Sequence, residues 1–284
     1  MRRGCLRGAL VGRRRIRYAA TLHASKGTTI ARIAITRAVS RALEQCELSH
    51  LPRRPIDLAL ARRQHAAYEQ ALRDAGCEVR QLPEQPEQPD SVFVEDTVIV
   101  LDEVAVITRP GALSRRAETA SMAAALQGLR ELRHIEAPGT LDGGDVLRLD
   151  RSVYVGASAR SNAEGIAQLR SLLAPFGYRV EAAPLRDCLH LKTAVTQVAS
   201  RCVLLNPEWV DAASFPGFEA ITVDPREPFA ANAVLVGDAV IHAASAPRTA
   251  ERLRGLGIDV RSVDMSETEK AEGGVTCCSV VFNR

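Results

Sequence analysis

The sequence predicts an α/β protein of closed, repeating architecture, with about five modules arranged round one axis. Three observations predict it. Short apolar strands that open on a polar or reactive residue recur roughly every 40 to 50 residues, the period of a repeat fold. The openings are Val94-Glu95-Asp96-Thr97-Val98, Gly144-Asp145-Val146-Leu147, Lys192-Thr193-Ala194-Val195, Ala231-Asn232-Ala233-Val234 and Cys277-Cys278-Ser279-Val280. An order of hairpin, helix and strand recurs with them, and 284 residues at 46% hydrophobic can bury a full core.

Ala31 to Val39 is β-rich and reads as the first core strand. Residues 56 to 75 carry Ile56, Leu60, Tyr68, Ala71 and Leu72 at helical spacing, and Gly76 stands where that helix stops. Cys77 to Leu82 reads as a strand; the three prolines of PEQPEQPD then preclude regular structure. Ser91 to Val100 and Glu103 to Thr108 form a hairpin about Leu101-Asp102, a turn follows at Pro110-Gly111, and Ser114 caps a helix over 115–129. The cycle repeats as strands 144–149 and 152–156 with helix 161–175, then strands 193–198 and 202–205 with a looser stretch around the lone Trp209. Strands 232–236 and 239–243, helix 247–256, Ile258 to Val263 and Val275 to Phe282 complete the chain, and no interdomain linker divides residues 31–284.

The formal net charge of +3 misleads, because residues 1–30 hold seven Arg and Lys26 with no acid, leaving −5 on the remainder. A mildly acidic body argues against nucleic-acid binding and suits a small cationic substrate. The Arg-rich segment 1–30 reads either as an organelle transit peptide or as a disordered or upstream extension, and lies outside the predicted fold. Seven cysteines without metal-type CxxC pairs fit a reducing compartment such as the cytoplasm. No apolar run reaches the 18 to 20 residues or so that span a bilayer, so no membrane partner is expected.

Carboxylates stand in the first two modules, His190 in the third and the cysteine pair in the fifth. If equivalent positions converge on the axis, these residues meet. Alternation along a strand adds Asp142, two before Gly144, and sets His190 two before Lys192. Singly each is unremarkable: a buried histidine or cysteine is often mere core, and Asp before Gly-Gly is usually a turn. Their coincidence at matching repeat positions is what turn chemistry does not require. Geometry alone does not choose between Cys277 and Cys278.

The stretches DSVFVEDTVIV (90–100), ITRPGALSRR (107–116), TLDGGDVL (140–147), CLHLKT (188–193) and MSETEKAEGGVTCCSV (265–280) resemble, in order, the dimethylarginine dimethylaminohydrolase family of the guanidino-group-modifying (pentein) superfamily. The resemblance covers about residues 31–284. It implies a five-bladed ββαβ propeller with pseudo-five-fold symmetry and a central active-site channel. It implies Cys277 as nucleophile, His190 as general acid and base, and Asp142 as the group that orients His190. Asp90, Glu95 and Asp96 would bind the guanidinium, and Arg115 and Arg160 the α-carboxylate. The backbone at Ala271 and a lid leucine, Leu48 or Leu51, would hold the amino end. The product would be citrulline, with dimethylamine or methylamine released. No cofactor is implied; Zn²⁺ at Cys277 and His190 would inhibit by blocking the nucleophile. The partner would be a small methylated arginine, and a homodimer is allowed. Two rivals stand beside this: another superfamily enzyme, an arginine deiminase or amidinotransferase, and a non-catalytic propeller that would not need Cys277, His190 and Asp142 together.

Overall fold

A computed structural model describes residues 31–284, so the expectations for 1–30 fall outside the described residues. The first strand, β1 (Arg32–Arg37), leads to α1 (Leu58–Asp74), which buries Ala61, Tyr68 and Leu72 along one stripe. The Asp57 carboxylate caps α1 by accepting the Leu60 N–H at 2.9 Å. The helix ends before Gly76, whose φ of +95° turns the chain into β2 (Cys77–Leu82) as the sequence predicts. β2 lies parallel to β1.

Four further sheets follow one plan: a hairpin, then a third strand returning parallel to the hairpin's second. They are β3 (Val98–Val100), β4 (Val104–Ile107) and β5 (Glu131–His134), with α2 (Thr119–Leu126) between the last two; and β6 (Val146–Leu149), β7 (Ser152–Gly156) and β8 (Arg179–Ala183), with α3 (Ala163–Leu173). The next begins with the single turn α4 (Leu191–Ala194) and contains β9 (Val195–Ala199), β10 (Cys202–Leu205) and β11 (Glu219–Thr222). Its crossover holds only the short 3₁₀ turn Ala212–Ser214, the looser stretch expected near Trp209. β12 (Ala233–Val236), β13 (Ala239–Ala243), α5 (Pro247–Gly255) and β14 (Asp259–Val263) form the last full unit. After the turn α6 (Ser266–Glu269), β15 (Val280–Asn283) pairs antiparallel with β1, so both ends of the described chain share one sheet and the ring closes. Five three-stranded sheets, β15-β1-β2 among them, make the predicted five-bladed ββαβ propeller.

Hydrophobic clusters fill the spaces beside the sheets, and Tyr68 ties α1 to the C-terminal segment: its hydroxyl lies 2.7 Å from both the Val275 carbonyl and the Ser279 hydroxyl. The strands β3, β6, β9, β12 and β15 line a central cavity of about 310 Å³.

The strand openings differ from expectation. Residues 94–97 and 143–145 are 3₁₀ turns, 191–194 is a helical turn, 228–231 is again 3₁₀ and 275–278 is a turn; each inner strand starts only after them. The strand predicted over Ser91 to Val100 therefore shrinks to β3, and that over Val275 to Phe282 shifts to β15. Strand alternation cannot have aimed Asp142 or His190, since both precede a turn. The turns pack backbone to backbone: a Cβ at Gly143 would lie 2.0 Å from the Glu95 carbonyl oxygen, a contact only glycine permits. Ser114 caps nothing; a 3₁₀ segment, Leu113–Glu118, precedes α2, and the Ser114 hydroxyl donates to Glu47 at 2.5 Å.

Candidate active site

These turns deliver reactive side chains to one pocket. Asp90, Asp96, Arg115, Arg160, His190, Ala271 and Cys277 all line it, as sequence reasoning expects. Asp142 sits behind His190, fully buried, with Oδ2 at 3.0 Å from His190 Nε2. The other ring nitrogen, Nδ1, lies 3.9 Å from Asp96 Oδ1. Gly144 allows this approach, since a Cβ there would stand 2.7 Å from both Asp96 Oδ1 and His190 Nδ1. Burial opposes the imidazolium, but Asp96, the bond to Asp142 and the charge of Asp145 outweigh it and push His190 up to about 9.

Asp96 is buried too, yet His190 and Arg115 hold it down to about 2. Glu95 faces the axial cavity, where its Oε1 lies 2.5 Å from Lys192 Nζ and its Oε2 accepts the Thr276 hydroxyl at 2.7 Å. Burial pushes Glu95 up, against the pull of Lys192. The Glu95 N–H donates to the Cys277 carbonyl at 3.2 Å, which fixes the two segments together. Cys277 Sγ accepts the Gly274 N–H at 3.4 Å. Burial first, then Glu95 and Asp96, pushes its thiol up to about 12. The site is a protonated sulfur facing carboxylates that are themselves paired, Asp96 with Arg115 and His190 and Glu95 with Lys192, and a cation docked among them would favour the thiolate.

Two expectations need correction. Arg115 is not a free fork. Its Nη1 donates to Asp96 Oδ2 at 2.5 Å, its Nε and Nη2 to Glu118 at 3.2 and 2.8 Å, and Nη2 also to the Asp90 and Phe93 carbonyls. A guanidinium this buried must be neutralised by carboxylates, and Arg115 thereby braces the pocket wall. Arg160 is the more available cation: Nη2 donates to the Ser49 hydroxyl at 3.0 Å and Nη1 lies 3.8 Å from Asp142. The second correction concerns the lid. Leu48 and Leu51 do not line the pocket; Leu48 packs against the core, and Glu47 takes its place, with its N–H donating to the Asp90 carboxylate at 3.3 and 3.1 Å.

Sequence reasoning missed Lys192 as the partner of Glu95, although it stands in the CLHLKT stretch, and it missed Glu272. The Glu272 carboxylate accepts the N–H groups of Ser49, His50 and Leu51 at 2.6 to 3.0 Å. Its own backbone is left-handed, φ +60°, a strain that three charge-assisted bonds offset. It clamps segment 49–51 beside the pocket. Glu272→Ala should raise KM about tenfold with kcat within a few-fold, the loss of a charged hydrogen-bond acceptor; steady-state kinetics read both.

A metal ion would find Asp96, Asp142 and His190, whose ligand atoms lie within 4.8 Å of one another. Cys277 is not one of this group, and the expected inhibitory Zn²⁺ site at Cys277 and His190 is a separate pair. Among the described residues no helix is long and apolar enough to cross a membrane.

A family model described as N,N dimethylarginine dimethylhydrolase, eukaryotic, matches residues 51–214. The N(G),N(G)-dimethylarginine dimethylaminohydrolase of Streptomyces coelicolor is 44% identical over 87% of this chain and 95% of its own length. The protein of the same name from Pseudomonas aeruginosa is 39% identical over 87% of this chain and 98% of its own. A solved structure of the Pseudomonas aeruginosa enzyme, a cysteine-to-serine mutant complexed with citrulline, is similar with a TM-score of 0.83 at 38% identity, covering 88% of this chain and 98% of that one. The N-terminal domain of ArgZ, an arginine dihydrolase from cyanobacteria, has the same fold at a TM-score of 0.79, 21% identity and coverage of 88% of this chain and 97% of that chain.

Proposed function

Because this chain belongs to the dimethylarginine dimethylaminohydrolase family, we propose that it hydrolyses free Nω-methylated arginines to citrulline, releasing dimethylamine or methylamine through a covalent intermediate on Cys277. The observation that carries this reading is the meeting in one pocket of Cys277, the Asp142–His190 pair and the buried carboxylates Asp90 and Asp96. A methylated guanidinium is a delocalised cation, and burying it unpaired costs several kcal/mol. Asp96 and Glu95 supply the counter-charge and accept its N–H bonds. Glu95 already holds Lys192 at Oε1 and the Thr276 hydroxyl at Oε2, so the substrate would share that carboxylate with them.

The docked cation relieves the repulsion that keeps the Cys277 thiol protonated, the proton leaves to solvent, and the thiolate attacks the guanidinium carbon. His190, protonated through the neutral range, gives its proton to the departing amine, and a C–N bond breaks as the S-alkylthiouronium forms. Neutral His190 then takes a proton from water; the hydroxide adds to the same carbon and the C–S bond breaks. Citrulline and the free thiol remain. No redox step and no group carrier enters this sequence.

Arg160, beside the clamped segment, is suited to the α-carboxylate, with the remaining Nη1 hydrogen of Arg115 as a second donor. The backbone at Ala271 and the Asp90–Glu47 contact bound the amino end. We place the reaction on residues 31–284 as one catalytic unit, in the cytoplasm, the kind of reducing compartment that seven cysteines without metal-type CxxC pairs fit.

The test is product analysis with asymmetric dimethylarginine, monomethylarginine and arginine side by side. Citrulline with dimethylamine or methylamine supports the reading; ammonia from arginine as the dominant product would move the chain to a deiminase. Cys278 provides an internal control. Its side chain is fully buried in the core and burial holds its thiol well above the ordinary range. Cys278→Ala should keep most of kcat and cost only about 1 kcal/mol of stability, read by kinetics and thermal denaturation.

A further inference from the structure

Asp145 is a fully buried carboxylate whose part so far is only the charge that it presents to His190. Its Oδ1 accepts the N–H of Leu191, the residue after His190, at 3.0 Å. Its Oδ2 accepts two hydroxyls, from Ser158 at 2.5 Å and Ser161 at 2.6 Å. Each serine oxygen in turn accepts a backbone N–H: Ser161 from Asp142 at 3.1 Å, Ser158 from Arg160 at 3.0 Å. The approach leaves no slack, since a Cβ at Gly156 would lie 2.9 Å from Asp145 Oδ1.

We propose that Asp145 is a positioning residue that sets His190, Asp142 and Arg160 in mutual register from a single buried anion. The inference rests on the functional reading above and deepens it, by joining the acid–base end of the pocket to the end that takes the α-carboxylate. An anion is required for a definite reason. Three donors converge on Asp145, and a carboxylate accepts all of them without offering a hydrogen in return. Both hydroxyl groups are thereby oriented with their protons toward Asp145 and their lone pairs toward the N–H of Asp142 or Arg160, a polarised chain on each side. An asparagine has only one acceptor oxygen. Turned to the two hydroxyls, it sets its amide hydrogens against the Leu191 N–H; turned to Leu191, it sets them against the hydroxyls, so one side of the arrangement is lost in either orientation.

The two arms separate by experiment. In the full chain, Asp145→Asn should lower kcat about 100-fold, the scale of a misplacement of about 1 Å near the chemistry, and raise KM as well. Ser161→Ala should act mainly on kcat, because it frees the Asp142 backbone behind His190. Ser158→Ala should act mainly on KM, because it frees the Arg160 backbone. The double serine variant should approach Asp145→Asn in both constants. Wild-type kinetics in Asp145→Asn would overturn the assignment. So would equal changes of kcat and KM in the two serine variants, since loss of packing alone has no reason to divide them. If Asp145→Asn does not fold, the serine pair decides alone. Wild-type chain that turns over no methylarginine would instead sink the functional reading and take this assignment with it, an outcome distinct from active wild type with an indifferent Asp145.

Discussion

Cys277→Ser should abolish citrulline release, by at least about 10⁴-fold in kcat, the scale seen when a nucleophile is removed from a preorganised site. The reason lies in the pocket's electrostatics. Burial opposes a negative charge at residue 277, and Glu95 and Asp96 add to it. A thiol pushed up to about 12 can still be ionised by the arrival of a guanidinium, whereas a serine hydroxyl starts several units higher and gives a far poorer nucleophile at neutral pH. Binding should survive. The carboxylates and Arg160 are untouched, so the citrulline Kd should stay within a few-fold of wild type. Calorimetry on the variant checks that, and a loss of binding in step with a loss of turnover would point to damage of the pocket rather than removal of the attacking atom.

His190→Gly should reduce kcat by about 10² to 10⁴-fold, the usual contribution of a positioned proton donor, and the loss should depend on the leaving group. A departing amine needs a proton; a departing alkylthiol does not. With an S-alkyl thiocitrulline the variant should still form the adduct on Cys277 and then accumulate it, because the hydrolytic half also needs His190 as base. The pH dependence follows from the same residue. Asp96, Asp142 and Asp145 hold His190 up to about 9 against burial, so the proton donor is present at neutral pH and is lost as pH rises through that value. Wild-type kcat/KM, which reports the groups of the free enzyme, should therefore fall on the alkaline side near 9. The Gly variant should lack that limb, since it has no imidazole to titrate. Rate measurements from pH 6 to 10 on both proteins read the difference, and an unchanged limb in the variant would remove His190 from the proton transfer.

Much of the fold and of the reacting set was legible in the chain because both are written in local pattern. Gly76 ends α1 where its left-handed φ requires glycine, and the hairpin about Leu101-Asp102 shows in the apolar runs on either side. The five openings at a common period bring Asp96, His190 and Cys277 to one pocket. What was not legible depends on tertiary contact. The openings look like strands by composition, yet each is a turn held by the neighbouring module, as Gly143 against the Glu95 carbonyl shows. Arg115 reads as a ligand of the α-carboxylate because nothing local predicts that Glu118, Asp96 and two carbonyls will enclose it. Glu272 and the 49–51 segment are more than 200 residues apart in the chain, and no periodicity links a carboxylate to backbone N–H groups at that distance. The pairing of β15 with β1 likewise needs the whole ring to close.

The most direct measurement is mass spectrometry of the intact enzyme, acid-quenched during turnover of a methylated arginine and followed by peptide mapping. A mass increase matching the amidino-ornithine fragment, after loss of the amine and located on Cys277, is the predicted result. Unchanged mass of the His190→Gly variant after incubation with an S-alkyl thiocitrulline, where the adduct should build up, or an adduct mapped to Cys278, would contradict it.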